Sequence, residues 1–424
     1  MIKYTLNYTE QLYAATKANL PCFTVTLKKK IDGAVLSEAV KAALVYHPHF
    51  KTRLIKENGL FALTENPKDP VVNECDWDSE VVYGGDDYNN YPWVITYTEN
   101  KISFSAIHAL TDGGGTMGFL MAVARQYLEL KEQIVFLTPI GHVAEESVNR
   151  TMEDMFQVNG NTAVEGLPKP NLGDATAIPP EFYETDPSKV SVYRVSLLLP
   201  DIKKYSIESE TSNFTVVAYV VAKAMERALQ KSEGVIKLRV PVSMRGVFKS
   251  VSDRKSIIIP QLNYDIRRMG SMDKKMVETI LKGQLFLLSD INNAIEGCNE
   301  MNAATQALIQ HPETLAASAK AFDEGCNAMN AGISYSQATN AHSFGEMEQY
   351  MENYEVYHFA DCMRYMEIIG NTFNNMINLS VSQSSKNDIL IQKLKEVLEE
   401  ENIHHEIEKV HNHGRMKPAE SLFA

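Results

Sequence analysis

Five prolines (Pro168, Pro170, Pro179, Pro180 and Pro187) crowd into the stretch from Gly160 to Pro187, among glycines and few apolar side chains. Such a stretch stiffens the chain and supports neither a helix interior nor a central strand. On both sides of it the hydrophobic pattern begins afresh with a strand and then a helix. The chain is therefore expected to fold as two lobes, 1–165 and 189–424, joined by a crossover at 166–188. With 424 residues, each lobe is long enough to bury its own core without disulfides or a structural metal.

Both halves read as α/β. In the first, Phe23–Leu27 alternates as a strand, and Ser37 is expected to cap a helix that buries Val40, Ala43 and Leu44. That helix stops at Tyr46-His47-Pro48, because the residue before proline is pushed out of helical geometry. Trp93–Tyr97 and Lys101–Ile107 form a hairpin around Glu99-Asn100. A glycine loop follows, then a helix burying Phe119, Leu120, Val123, Ala124, Tyr127 and Leu128. In the second half, strands are expected at Val190–Leu199, Lys237–Val242, Ile257–Tyr264, Ile333–Ser336 and Met376–Ser382. Helices are expected at Thr215–Gln230, through most of Met272–Ala321, and at Ile389–Glu400. A short repeat, Glu296–Ala303 and Glu324–Ala331, is not sustained at any period, so it does not mark a solenoid.

Composition removes several classes. A net charge of −13 argues against general affinity for nucleic acid, which requires a basic footprint. No run of 18 apolar residues occurs, so no membrane span is expected. Met1–Asn7 lacks a basic-then-apolar leader. The five cysteines (Cys22, Cys75, Cys298, Cys326 and Cys362) form no C-x-x-C pair and leave one over. That usage fits reduced thiols in a cytoplasmic protein.

The chemistry concentrates at His108-Ala109-Leu110-Thr111-Asp112-Gly113-Gly114-Gly115, where a buried strand gives way to the glycine loop. A histidine there can act as a general base, since its ordinary pKa lies near working pH. The glycines would let the backbone turn sharply and let a bulky ligand approach. Asp112 either orients the imidazole or ties the loop to a cation elsewhere. The alternative is a core histidine with a satisfied hydrogen bond, followed by a simple turn.

This H-x-x-x-D-G segment resembles the signature of the chloramphenicol acetyltransferase-like superfamily, which includes alcohol acetyltransferases and the condensation domains of peptide synthetases. Tyr46–Leu54 is similar to the H-P-x-L-R-T-R-F element that precedes the signature in those proteins. Val240–Arg245 is similar to their P-V-N-x-R strand, and Ile333–Gln337 stands where many relatives carry a serine-asparagine strand. The nearest pattern is that of bacterial alcohol acetyltransferases. Two departures weigh against other branches: Ile107 replaces the first histidine of condensation domains, and the D-F-G-W-G strand of plant acyltransferases is absent.

The resemblance implies a two-lobe α/β sandwich with an inter-lobe tunnel, which a monomer can form because one chain supplies both lobes. It implies acyl transfer from acyl-CoA as cosubstrate to a small alcohol or amine, with His108 as base and no bound cofactor or metal. Asp112 and Gly113 would then be structural, with Arg53 or Arg245 as partner of Asp112, and Ser336 a candidate donor to the oxyanion. A carrier-protein donor, or a docking module of the same fold without catalysis, are the alternatives.

From Lys237 to Arg268 eight cations face only Asp253 and Asp265. Arginine and lysine clusters suit phosphates, so Arg254 and Lys255 are expected at the coenzyme mouth of the tunnel. The same charges would equally be a solvated surface, or receive an acidic acyl carrier protein. His404, His405, His411 and His413 lack a cysteine or an i,i+4 histidine to complete a metal site and read as an exposed tail.

Overall fold

The computed structural model describes residues 2–75, 79–168, 173–184, 186, 189–336, 344–357, 365–410 and 416–423. In the first lobe, α1 (Tyr8–Ala15) opens with a capping box: the Asn7 side chain accepts from the Glu10 amide while Glu10 accepts from the Asn7 amide. The sheet is built from β1 (Cys22–Leu27), β2 (Val72–Glu74), β3 (Trp93–Tyr97) and β4 (Lys101–Ala106). β3 and β4 form the expected hairpin, with Tyr97 opposite Ile102.

Two helices cover the sheet, α2 (Gly33–Tyr46) and α3 (Gly113–Glu132). α2 begins four residues before the expected cap. Asp32 accepts from the Ala34 and Val35 amides, and Ser37 lies one turn inside, its hydroxyl bonded to the Gly33 carbonyl. An aspartate that meets two free amides outcompetes a serine that has none to meet. α2 ends at Tyr46, before His47-Pro48, as the proline requires.

The second lobe contains β5 (Ser191–Leu198), α4 (Asn213–Leu229), β6 (Val235–Arg239) and β7 (Gln261–Asp265). The long helical stretch resolves into α5 (Lys274–Leu288), α6 (Ile291–Gln310) and α7 (Leu315–Asn327). Then come β8 (Ala331–Ser336), β9 (Met351–Tyr357), β10 (Met366–Phe373), β11 (Met376–Gln383), α8 (Ile389–Glu400) and β12 (His405–Val410). Seven strands form one sheet in the order β7-β6-β8-β10-β11-β5-β12. Only the β6–β8 and β8–β10 pairings are parallel. Pro260 interrupts the expected strand at 257–264, leaving a two-residue piece and β7.

β9 does not join that sheet. It pairs antiparallel with β1, Tyr357 opposite Cys22, and completes the first lobe's sheet as β9-β1-β4-β3-β2. Residues Met416–Pro418 likewise return to the first lobe and pair with Val81–Tyr83. Among the described residues two large hydrophobic cores result. One gathers Phe23, Phe104 and Phe119 with Tyr354 and Val356 of β9; the other gathers Val195, Val220, Leu238, Ile368 and Leu394.

The repeated octapeptide has no structural counterpart. Its first copy lies wholly inside α6, whereas the second runs from the end of α7 into β8. No helix among the described residues is long and apolar enough to cross a membrane.

Candidate active site

β4 runs buried to Ala106, and the His108 amide then donates to the Ala18 carbonyl, 2.8 Å. The chain turns so that the His108 Nδ1 lies 3.0 Å from the Thr111 carbonyl. A carbonyl oxygen can only accept, so the contact is a hydrogen bond when Nδ1 carries the proton. Nε2 then keeps its lone pair, the state a general base requires. The Tyr13 ring of α1 lies 4.0 Å from the imidazole, centroid to centroid. His108 is half-buried, and burial followed by the charge of Lys255 holds its imidazole well below the ordinary pKa.

Asp112 does not touch His108. It caps α3, its Oδ1 accepting from the Gly114 and Gly115 amides at 3.0 and 3.1 Å. The same oxygen accepts from Arg245 Nη1 at 2.7 Å, while Oδ2 accepts from the Ser256 amide at 2.7 Å. Arg245 spends its other N–H groups on the Ser252 and Arg254 carbonyls, both at 2.7 Å. Burial alone would raise the Asp112 pKa, but Arg245, the Ser256 amide and Lys255 together hold it below the ordinary value. Of the two arginines expected to partner Asp112, the structure uses Arg245. Arg53 is exposed in the small strand Thr52–Glu57, turned outward because Leu54 takes the inward position.

The glycines serve this clasp. A Cβ on Gly115 would stand 2.1 Å from Thr111 Oγ1 and 2.5 Å from the Asp253 carbonyl, and one on Gly114 would stand 2.8 Å from Arg245 Nη1. What comes this close to Gly114 and Gly115 is Thr111 of the same loop and Arg245 and Asp253 of the second lobe, so these two glycines are required by protein packing rather than by a ligand. Gly113 begins α3, and a Cβ there would meet only the Phe23 ring, at 3.6 Å.

Two histidines of the Tyr46–Leu54 element support the same loop, a role not read from the sequence. His49 Nε2 donates to the Leu110 carbonyl at 2.7 Å, and its Nδ1 meets the Tyr4 hydroxyl. Burial pushes His49 down to about 4, so the ring is neutral. His47 Nδ1 lies 2.9 Å from Asp253, and the Asp253 carbonyl accepts from Thr111 Oγ1 at 2.6 Å.

Arg254 and Lys255, expected at a coenzyme mouth, are both buried. Arg254 is buried, bonded to both Glu10 oxygens at 3.0 and 2.6 Å and reaching Asp154 at 3.3 Å, with Tyr4 beneath it. A guanidinium already paired with two carboxylates in a buried site is not presented to a phosphate arriving from solvent. Lys255 is 1% exposed. Its Nζ lies 2.9 Å from His108 Nδ1, 3.4 Å from Nε2, and 3.7 Å from the Tyr13 ring centroid. Burial brings Lys255 down to about 7, Asp112 and Glu10 opposing that fall and Arg239 and Arg245 adding to it.

The excess of positive charge in 237–268 disperses in the same way. Arg239 is buried against Glu367 at 2.7 Å, and Arg245 and Arg254 take Asp112 and Glu10. Lys249, Arg267 and Arg268 are exposed.

Ser336 ends β8 opposite Asn371; its side chain lies outside the described residues, as do Gln337, Cys362, His411 and His413. His405 begins the edge strand β12, and His404 contacts Asp201 at 2.5 Å. No group of metal-ligating side chains is found among the described residues.

The chain has the two-lobe chloramphenicol acetyltransferase-like fold. TRI101 of F. sporotrichioides, solved with coenzyme A and T-2, superposes with a TM-score of 0.64 at 11% identity, covering 96% of this chain and all (100%) of that one. Polyketide synthase associated protein 5 from Mycobacterium tuberculosis gives 0.57 at 14% identity, covering 93% and 96%. The epimerization domain from the third module of tyrocidine synthetase B gives 0.57 at 9% identity, covering 95% and 97%. At these identities the likeness is one of fold. No protein-family profile and no curated protein matches the chain in sequence.

Proposed function

We propose that the protein transfers an acyl group from acyl-CoA to a small alcohol or amine, with His108 as general base. The observation that carries this reading is the His108 Nδ1 contact with the Thr111 carbonyl, which favours the tautomer whose lone pair is on Nε2. Nε2 takes the proton of the acceptor as its oxygen or nitrogen bonds to the thioester carbon. The tetrahedral adduct then collapses, the C–S bond breaks, and the proton passes from Nε2 to the leaving thiolate. The oxyanion needs donors placed in advance, and we assign Ser336 this part. Asp112, Gly113 and Arg245 hold the loop from outside the reaction.

Support for a coenzyme A donor comes from TRI101, solved with that molecule on the same fold. The lobes are taken as 1–165 and 189–424 on either side of the 166–188 crossover, the second lending β9 to the first. The protein works as a single chain in the cytoplasm, without metal.

The test is thiol release from acetyl-CoA and longer acyl-CoAs with pooled alcohols and amines, comparing the native chain with His108→Ala. Release that depends on acceptor and collapses in the variant is expected. Equal release from both chains would remove His108 from the mechanism. The epimerization-domain neighbour favours a parallel arm with a carrier-bound acyl group; turnover there alone would assign the donor to a carrier protein. Silence in both arms would leave a docking module.

A further inference from the structure

The seven-stranded sheet closes one of its two edges and leaves the other open. At the β7 end the side-chain amide of Gln284 on α5 bonds both backbone groups of Asn263, accepting from its N–H and donating to its carbonyl, each at 2.8 Å. At the opposite end β12 has β5 on one side and no strand on the other. The His404 carbonyl accepts from the Leu198 amide at 3.0 Å, and that bond fixes the phase of the ladder. Glu406 and Glu408 turn their backbone groups toward β5, whereas His405, Ile407 and Lys409 turn theirs outward. Among the described residues nothing bonds those three amides or their carbonyls. An edge in this state is a template for one more strand.

The two faces of β12 differ in charge. Ile407 packs against the second lobe's core, and Lys409 on the same face reaches Asp388 at 3.2 Å. Glu406 and Glu408 stand on the other face, both exposed, at the border of a 330 Å³ cleft whose further carboxylates are Glu352 and Glu355 of β9. Among the described residues Arg194 is the one cation of this lining, and it is spent on Glu355 at 2.9 Å and Glu408 at 3.3 Å. A strand added beside β12 sets every second side chain against Glu406 and Glu408, with Cβ atoms about 5 Å apart. A second copy of this chain fits badly. Pairing two β12 strands about Ile407 sets Glu406 of each against Glu408 of the other, and like charges directly opposite destabilise a pair. An extended segment with lysine or arginine at alternate positions supplies the missing cations on that face and apolar contact beside Ile407 on the other.

We propose that β12 is a docking edge for an extended, alternately basic segment of a partner protein, which adds as an eighth strand and lays its cations along Glu406, Glu408 and the cleft. Backbone bonds to Ile407 hold the added strand, and the carboxylates select its charge. The surface is separate from the His108 loop and does not depend on the reaction assigned there.

The experiment is fluorescence anisotropy of the full chain with a dye-labelled, end-capped heptapeptide of alternating lysine and valine. Saturable binding is expected, weakened about two- to fivefold for each carboxylate removed in Glu406→Gln and Glu408→Gln. A peptide with glutamate in place of lysine is expected not to bind. Ile407→Pro removes an outward N–H at a place where an edge strand accepts proline, and it is expected to abolish binding. N-methylation of the peptide's valine amides, the groups that would bond Ile407, is expected to do the same and leaves the protein unaltered should the proline variant not fold. No binding by the native chain, equal binding of the glutamate peptide, or binding untouched by N-methylation would overturn the proposal. Dimerisation of the native chain in sedimentation, abolished by Ile407→Pro, would give the edge to a second copy and overturn it as well.

Discussion

Asp112 and Arg245 lie 133 residues apart in sequence and 2.7 Å apart in space, and their bond fastens the His108 loop to the second lobe. Asp112 is fully buried, with both oxygens occupied by that bond and three amides. Removing one partner leaves the other charged in a dry site. Asp112→Ala is expected to cost about 3–5 kcal/mol of unfolding free energy, measured by urea titration, and to depress turnover because His108 loses its loop. Asp112→Asn should cost less, since its amide oxygen still accepts. Equal stability of Asp112→Ala and the native chain would refute the clasp.

The glycines offer a paired test. Gly115→Ala forces a Cβ against the Asp253 carbonyl, which is backbone and cannot turn aside; a loss of about 1–3 kcal/mol is expected. Gly118 lies in the same helix with nothing within 4 Å of its Cβ position. Gly118→Ala should gain about 0.5–1 kcal/mol through helix propensity. Thermal unfolding of the two variants should move in opposite directions.

The Arg254–Glu10 pair lends itself to a double-mutant cycle. Arg254→Met and Glu10→Gln should each destabilise, and the double variant should lose less than their sum, with a coupling of about 1–3 kcal/mol. Arg254→Met should bind coenzyme A as the native chain does once folded, because the guanidinium is spent on Glu10 and Asp154. A selective loss of coenzyme affinity in a folded variant would count against this.

His49 sets an acid limit on stability. Its native pKa falls from 6.5 to about 4 through burial, so the unfolded chain takes up a proton that the native chain refuses. The associated stability is complete above pH 6.5 and drains away as pH drops toward 4, about 3 kcal/mol in all. His49→Gln, which can still donate to the Leu110 carbonyl, should flatten that part of the profile. Urea midpoints across this window test it, and an unchanged slope would point to other groups.

Sequence reading went furthest where the determinants are local. The β3–β4 hairpin, the stop at His47-Pro48 and the buried stripe of α3 follow from spacing within a few residues. α8 was bounded at Ile389–Glu400 by its own periodicity. The cations of 237–268 could not be placed from the sequence because the partners of several lie far off: Glu10 is 244 residues from Arg254, and Glu367 is 128 from Arg239. A local count of cations cannot see such pairs. β10 shows no alternation because it is buried on both faces, and both β9 and β10 carry a buried carboxylate, Glu355 and Glu367, that breaks the apolar pattern. The Lys255 contact with His108 joins positions 147 apart, and nothing short of the fold reveals it.

The borrowed strand has a consequence for the order of synthesis. β1 has no neighbour on its outer edge until β9 arrives, at residues 351–357. At about 5–20 residues per second, a ribosome that has finished residue 165 needs roughly 10–40 s to deliver that strand. Throughout this interval the nascent first lobe carries an open row of amides and carbonyls beside apolar side chains, the template on which chains stick to one another. A truncation that ends before β9 would make that transient exposure permanent.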